Sequence, residues 1–102
     1  MNDLRTPEVE NLLRVFAEIS NPDDVFALLE DIFTIREIHD ISQRLQVAGM
    51  LSRGLSYNAI EDATGASATT IARVSKCLSY GSGGYEAALK ILGDPVRERK
   101  SV

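Results

Sequence analysis

The sequence SYNAIEDATGASATTIARVSKCL, at residues 56–78, predicts two short helices joined by a tight turn. Ser56 is placed to cap the first helix, because its hydroxyl can accept an amide proton of the opening turn. Gly65 stands where a helix ends in a left-handed residue, which glycine adopts without strain. Ser67 can cap the second helix. The stretch therefore has the order of a helix-turn-helix.

The second predicted helix has one apolar side and one small, polar side. The stripe expected to be buried consists of Ile71, Val74, Ser75 and Leu78. The first helix has a smaller apolar face, made by Ile60 and Ala63. The opposite side of the second helix carries Thr69, Ala72, Arg73 and Lys76. Small and cationic residues on a capped second helix suit a DNA major groove.

The residues predicted to contact DNA are therefore Ser56, Asn58, Ser67, Ala68, Thr69, Thr70, Ala72, Arg73 and Lys76. Threonine and alanine can meet thymine methyls or base edges, whereas lysine is a point charge that suits a phosphate. Arg73 lies beside the reading face, where contact with a phosphate is favoured over a purely solvated role. The alternative for the small residues is that they are only exposed helix positions, and Asn58 is evenly balanced between the two.

Composition places the chain among small folded proteins. Its 102 residues are 44% hydrophobic and 25% charged, which suits one globular domain or one protomer. Strict apolar and polar alternation is missing, so an all-α fold of about six helices is predicted. The single cysteine, Cys77, excludes an internal disulfide, makes a cysteine-based metal site implausible and fits a cytoplasmic protein. The acidic first ten residues predict neither a signal peptide nor a membrane span.

The charge is unevenly distributed. The formal net charge is −4, which by itself counts against a nucleic-acid binder. Residues 1–40 contain ten acidic residues and three arginines, a net of −7, whereas residues 41–102 contain five acidic and eight basic residues, a net of +3. A DNA-facing half and an acidic half for protein contacts are compatible with this pattern.

The remaining helices are placed by capping signals and apolar spacing. Thr6-Pro7 and Asn21-Pro22 open helices over about 7–19 and 22–33, and Thr34 with Glu37 forms a capping box before a long helix over about 35–53. A last helix follows the glycine-rich joint at 81–84, and residues 97–100 are expected to fray. The chain is thus one domain with dimerisation helices (6–33), a central helix (34–55), the helix-turn-helix (56–79) and a C-terminal helix (85–93).

The apolar faces of these helices exceed what a monomer of this size is expected to cover. The stripe of the first helix is Val9, Leu12, Leu13, Phe16 and Ile19. The second helix is apolar around much of its circumference, which predicts burial between other helices. The central stripe is Ile38, Ile41, Leu45, Ala48 and Leu51, and Gly49 beside it predicts close approach by another helix. A homodimer with exchanged N-terminal helices is therefore expected.

With these elements in order, the chain resembles the tryptophan repressor family, and within it the YerC/YecD-type relatives. The resemblance covers about residues 6–92 and is most specific at TIRE (34–37), QRL (43–45), LSRGLS (51–56) and GASATTIAR (65–73). It implies an intertwined, all-helical dimer that regulates transcription, as a repressor, by binding DNA through two projecting helix-turn-helix units.

The resemblance also implies an effector pocket between the central helix and the second helix of the helix-turn-helix, which is the recognition helix of the family. Matched position by position, its residues are Thr34, Arg44, Arg73, Val74 and Cys77. Val74 replaces a glycine that leaves room for the indole of the corepressor in tryptophan-responsive members, and Cys77 replaces a serine. L-tryptophan is therefore not the expected ligand; the site is empty or takes a smaller one. Arg44 is equally compatible with a structural ion pair, and Cys77 with a half-buried packing role.

The motifs of enzymes are missing from this sequence. No nucleophile–base pair, phosphate loop or metal-ligand cluster is recognised, so catalysis, a cofactor and a metal are not expected. The alternative to a DNA-binding regulator is a protein-interaction module that keeps the fold without useful DNA binding. Its support is the acidic balance, to which Glu61 and Asp62 in the first motif helix contribute.

Overall fold

The computed structural model describes residues 3–96, which form six α-helices and no strand. They are α1 (Pro7–Glu18), α2 (Pro22–Ile32), α3 (Ile35–Ser52), α4 (Tyr57–Thr64), α5 (Ala68–Tyr80) and α6 (Gly84–Leu92). The predicted all-α class is confirmed, and the first three helices end within one residue of their predicted limits. The expected frayed tail at 97–100 lies outside the described residues. Among the helices described, none has the length and apolar character needed to cross a membrane.

Side-chain caps begin five of the helices, because each cap satisfies an amide proton that the first turn leaves free. The accepting groups are Thr6 to Val9 N (3.2 Å), Asn21 to Asp24 N (2.9 Å), Thr34 to Glu37 N (3.1 Å), Ser56 to Ala59 N (3.1 Å) and Ser67 to Thr70 N (3.1 Å). The Glu37 carboxylate accepts in return from Thr34 N at 2.9 Å, which completes the predicted capping box.

The chain divides into two compact units, one up to Ile38 and one from His39 onward. The first unit contains α1 and α2, neither of which has a buried residue. Phe26 and Ile32 of α2 are 53% and 52% exposed, and Leu12 and Leu13 of α1 are exposed as well. The burial of α2 between other helices was predicted together with a homodimer, and it stays a prediction. The apolar stripes of these two helices are present, and their residues are half-buried or exposed within the first unit.

The second unit contains a continuous hydrophobic core. Its buried members are Val47, Ala48, Met50, Leu51, Ile60, Ala66, Ile71, Val74, Leu78 and Leu89. The predicted stripe of α3 is buried only at Ala48 and Leu51, since Ile38, Ile41 and Leu45 are half-buried. The last turns of α3 are covered around most of their circumference, which a one-sided stripe does not anticipate. Leu92, the last residue of α6, is 59% exposed.

Gly49 is buried within α3, and its neighbour is a carboxylate, not the second helix that its position predicted. A Cβ at Gly49 would lie 2.9 Å from Asp94 Oδ2 and 3.3 Å from Arg53 Nη1. Asp94 follows α6 and pairs with Arg53 of α3, with Nη1 and Oδ1 2.6 Å apart. The missing side chain at Gly49 therefore makes room for the ion pair that fastens the end of α6 to α3.

This arrangement predicts that Gly49→Ala will not stabilise the protein, although alanine is favoured over glycine by about 1 kcal/mol inside a helix. The added methyl displaces the Asp94 carboxylate and weakens an ion pair that contributes up to about 1 kcal/mol. Urea unfolding should give a free energy of unfolding equal to or below that of the wild type.

Gly84→Ala is the matched control, because a Cβ at Gly84 meets no atom within 4 Å. It should raise the free energy of unfolding by about 0.4–1 kcal/mol. Equal gains from the two substitutions would contradict the role given to Gly49.

Candidate nucleic-acid interface

The turn between α4 and α5 has the geometry of a helix-turn-helix. α4 ends at Gly65, whose φ of 74° lies in the left-handed region, and Ser67 caps α5 two residues later. Ile60 of α4 and Ile71 of α5 are both fully buried, and Ala66 in the turn is buried with them. The two helices are therefore held together from the inside, which leaves their outer faces available.

Most of the residues predicted to contact DNA are exposed, at the start of α4 and on the outer face of α5. Residues of the predicted set that are exposed are Ser56, Asn58, Ser67, Ala68, Thr69, Ala72, Arg73 and Lys76. Thr70 is half-buried, and its hydroxyl oxygen accepts from Ser67 Oγ at 3.1 Å. The hydroxyls of Ser56 and Ser67 also serve as helix caps, so their first role is structural. The capping hydrogen bonds of α4 and α5 do not involve Thr69, Ala72, Arg73 or Lys76.

Charge is sparse on this motif, and its cations are available. Arg73 and Lys76 take part in none of the ion pairs found among residues 3–96, whereas Arg53 and Lys90 do. Two acidic residues of α4 offset them, the exposed Asp62 and the half-buried Glu61. Residues 56–81 thus carry two positive and two negative side chains. A phosphate contact from α5 would come from two adjacent turns of one helix face.

A hydrogen bond that was not predicted from the sequence joins the end of α4 to α3. Gln43 Nε2 donates to the backbone oxygen of Thr64 at 3.0 Å, across 21 residues of sequence. Thr64 Oγ1 donates to Ile60 O at 2.7 Å and accepts from Ala66 N at 3.1 Å. The resemblance was specific at QRL (43–45), which includes Gln43. Hydrophobic periodicity, however, does not indicate a contact between two residues so distant in sequence.

Two inward positions were predicted wrongly. Ala63 is exposed, and Cys77, expected to be half-buried, is exposed too. Each lies about 60° around its helix from a buried residue, Ile60 or Val74, but on the side away from the rest of the buried arc. Short helices that touch the core over a narrow arc bury fewer residues than a hydropathy pattern predicts.

The residues matched to an effector pocket have different surroundings. Thr34 belongs to the first unit, where its side chain caps α3. In the second unit, Arg73 is exposed, whereas Val74 is 1% exposed and belongs to the hydrophobic core. The position where tryptophan-responsive relatives have glycine is therefore filled by a packed side chain.

Arg44 is half-buried and interacts with the Tyr85 hydroxyl at the start of α6. Burial raises the pKa of Tyr85 above its ordinary value, and the Arg44 guanidinium opposes this by favouring the phenolate. Arg44 is thus placed beside a phenol, and it occurs in none of the ion pairs found among residues 3–96. A structural ion pair, one of its two predicted roles, is not seen there.

Cys77 and Tyr85 line an open cavity of about 480 Å³ between α5 and α6. Its other lining residues are Leu45, Ala88 and the glycine-rich loop at 81–84. This cavity is mostly apolar and is not the space that a glycine at position 74 would leave.

Known proteins with a similar sequence or fold point in one direction. The family model described as Trp repressor protein matches residues 7–92. The chain is 39% identical over 101 residues to the uncharacterised protein YerC of Bacillus subtilis (strain 168), which covers 99% of this chain and 93% of that protein.

Two crystal structures are similar to the whole fold. One is a candidate Trp repressor from Staphylococcus aureus, with a TM-score of 0.85, 33% identity, and coverage of 92% of this chain and 94% of that one. The other is a TrpR-like protein from Eubacterium eligens ATCC 27750, with a TM-score of 0.87, 38% identity, and coverage of 95% and 100%.

Proposed function

The chain belongs to the Trp repressor protein family, a family of DNA-binding regulators, and on that premise we propose its specific role. It is a cytoplasmic transcriptional regulator that binds a specific operator as a homodimer and represses by occupying it. The observation that carries this proposal is the exposed face of α5. Four exposed residues that do not cap a helix lie there, namely Thr69, Ala72, Arg73 and Lys76. The opposite side of α5 packs in the hydrophobic core.

The chemistry of that face suits a division of labour on DNA. Arg73 and Lys76 can each neutralise a phosphate, which supplies affinity that falls as salt rises. The methyl groups of Thr69 and Ala72 suit thymine methyls and base edges, which supply sequence preference. Because the face has only two cations, a large share of the affinity for the preferred site has to come from close fit to the base edges.

The homodimer is supported by the exposed apolar residues of α1 and α2. Fully burying a leucine or phenylalanine side chain contributes about 1.5–3 kcal/mol, so leaving these faces in water is costly. A second copy carries the same faces and can cover them symmetrically, and it presents a second α5 to a second half-site.

We further propose that L-tryptophan is not the effector. Val74 lies in the core with Ile71 and Leu78, and an indole at that position would have to displace a packed side chain. Any effector of this protein is accordingly smaller or binds elsewhere.

DNA binding is tested by titration against salt on the site recovered from a random-DNA selection. Lys76→Gln should lower the affinity severalfold and reduce the slope of log K against log salt by about 0.9, the value for one phosphate contact. Lys90→Gln is the matched control, because Lys90 lies on α6 and pairs with Glu86; its slope should equal that of the wild type. If selection recovers no preferred site and both variants behave alike, the protein is the interaction module instead.

Dimerisation is tested by sedimentation at micromolar concentration. The wild type should have a mass of 22.4 kDa, twice 11.2 kDa. Phe26→Glu places a charge on the apolar face of α2 and should weaken the dimer at least about tenfold, since a phenylalanine contact contributes about 1.5–3 kcal/mol. Ala27→Glu is the control on the opposite side of α2 and should leave the mass unchanged. A wild type of 11.2 kDa would refute the dimer.

The effector proposal is tested by equilibrium dialysis with L-tryptophan, read directly by fluorescence because the chain contains no tryptophan. We expect equal concentrations on both sides of the membrane at roughly 1 mM ligand. Calorimetry should show an unchanged melting temperature, whereas ligand at 100 times its Kd would stabilise the fold by about 2.7 kcal/mol. Retention of L-tryptophan by the protein would contradict the proposal.

A further inference from the structure

α3 is joined to the helix-turn-helix by a directional contact as well as by the core. Gln43 Nε2 donates to Thr64 O at 3.0 Å in a partly buried position. We propose that Gln43 is a positioning residue. It sets the orientation of α5 relative to α3, and thereby the ratio of the affinity for the preferred site to the affinity for bulk DNA. This inference rests on the proposed DNA-binding function.

Thr64 is well placed to receive such a constraint. It is the last residue of α4, and the final carbonyls of a helix have no partner within the helix. Gln43 satisfies this carbonyl, while the Thr64 hydroxyl bonds both Ile60 O within α4 and Ala66 N in the turn. One residue therefore links α3, the end of α4 and the turn.

The path from Thr64 to the recognition helix is short and rigid. Gly65 adopts φ of 74°, Ala66 is buried, and the Ser67 hydroxyl caps α5 through Thr70 N at 3.1 Å. These three residues leave few free dihedral angles between the Gln43 contact and the first turn of α5. A movement of Thr64 relative to α3 is therefore transmitted to α5.

The apolar core alone does not supply this constraint. Burial of Ile60 and Ile71 in one core with residues of α3 resists separation of the helices, but the hydrophobic effect has no directional preference. A hydrogen bond weakens steeply once its angle or distance departs from the optimum. Gln43 thus adds a directional restraint on sliding and rotation to that of the packed side chains.

Specific and non-specific DNA binding differ in their sensitivity to such a shift. α5 has 13 residues and is about 20 Å long, so a small rotation at its start moves its far end by about an ångström. Phosphate attraction through Lys76 changes little over that distance, whereas contacts with base edges depend on close geometry. Loss of the Gln43 contact should therefore weaken the preferred site far more than bulk DNA.

The test compares both affinities for Gln43→Met, which keeps the length of the side chain and loses the donor. We expect roughly a three- to tenfold loss on the selected site, the size of one net hydrogen bond, and less than about a twofold loss on bulk DNA. Gln43→Lys restores a donor, and its added charge acts on both DNAs alike, so it should recover most of the ratio. Gln46→Met is the matched control, because Gln46 is an exposed residue of α3, and it should keep the wild-type ratio.

All affinities are measured below the melting temperature of each variant, and Gln43→Asn, whose amide is too short to reach Thr64, replaces Gln43→Met if the latter is unfolded. A wild-type ratio in the donor-free variant, or equal losses on both DNAs, overturns the positioning role. A wild type with no preferred site overturns the proposed function, and the present inference with it.

Discussion

The burial of Ile60 and Ile71 is the interaction on which the rest of the second unit depends. Both side chains are fully withdrawn from water, and each such burial contributes about 1.5–3 kcal/mol. Ile60 belongs to α4 and Ile71 to α5. Their burial in one core therefore fixes the angle between the two helices and leaves the outer face of each helix turned away from the core. The exposed set on α5 is thus a consequence of packing, and the polarity of Thr69 and Arg73 costs the fold little.

Local features of this fold could be predicted from the sequence, and distant ones could not. Caps at Ser56 and Ser67 act within three residues, so the sequence around them contains the whole interaction. The neighbours of Gly49 and Gln43 lie 45 and 21 residues away, and only the folded chain shows that they are Asp94 and Thr64. For the same reason, Ala63 was placed on the apolar face of α4 and Cys77 was expected to be half-buried, although the arc that the core covers is too narrow to include either residue.

Position 74 illustrates how packing and ligand binding compete for one space. A valine there adds buried apolar area beside Ile71 and Leu78, which stabilises the contact between α5 and the core. A glycine would leave that area open for a ligand and would also weaken the middle of α5 by about 1 kcal/mol. A recognition helix with valine at this position is held by its own core and needs no bound indole to hold it.

The charge balance of the motif leads to the same emphasis on position. Two cations and two acidic residues within 56–81 leave little net attraction for DNA, and non-specific affinity grows with the number of phosphates neutralised. A protein with weak non-specific binding loses little time on bulk DNA, but its useful affinity has to come from contacts that demand close geometry. Those contacts are only as good as the support of the helix that presents them. The structure supplies that support through an apolar core without directional preference and a directional hydrogen bond from Gln43 to Thr64.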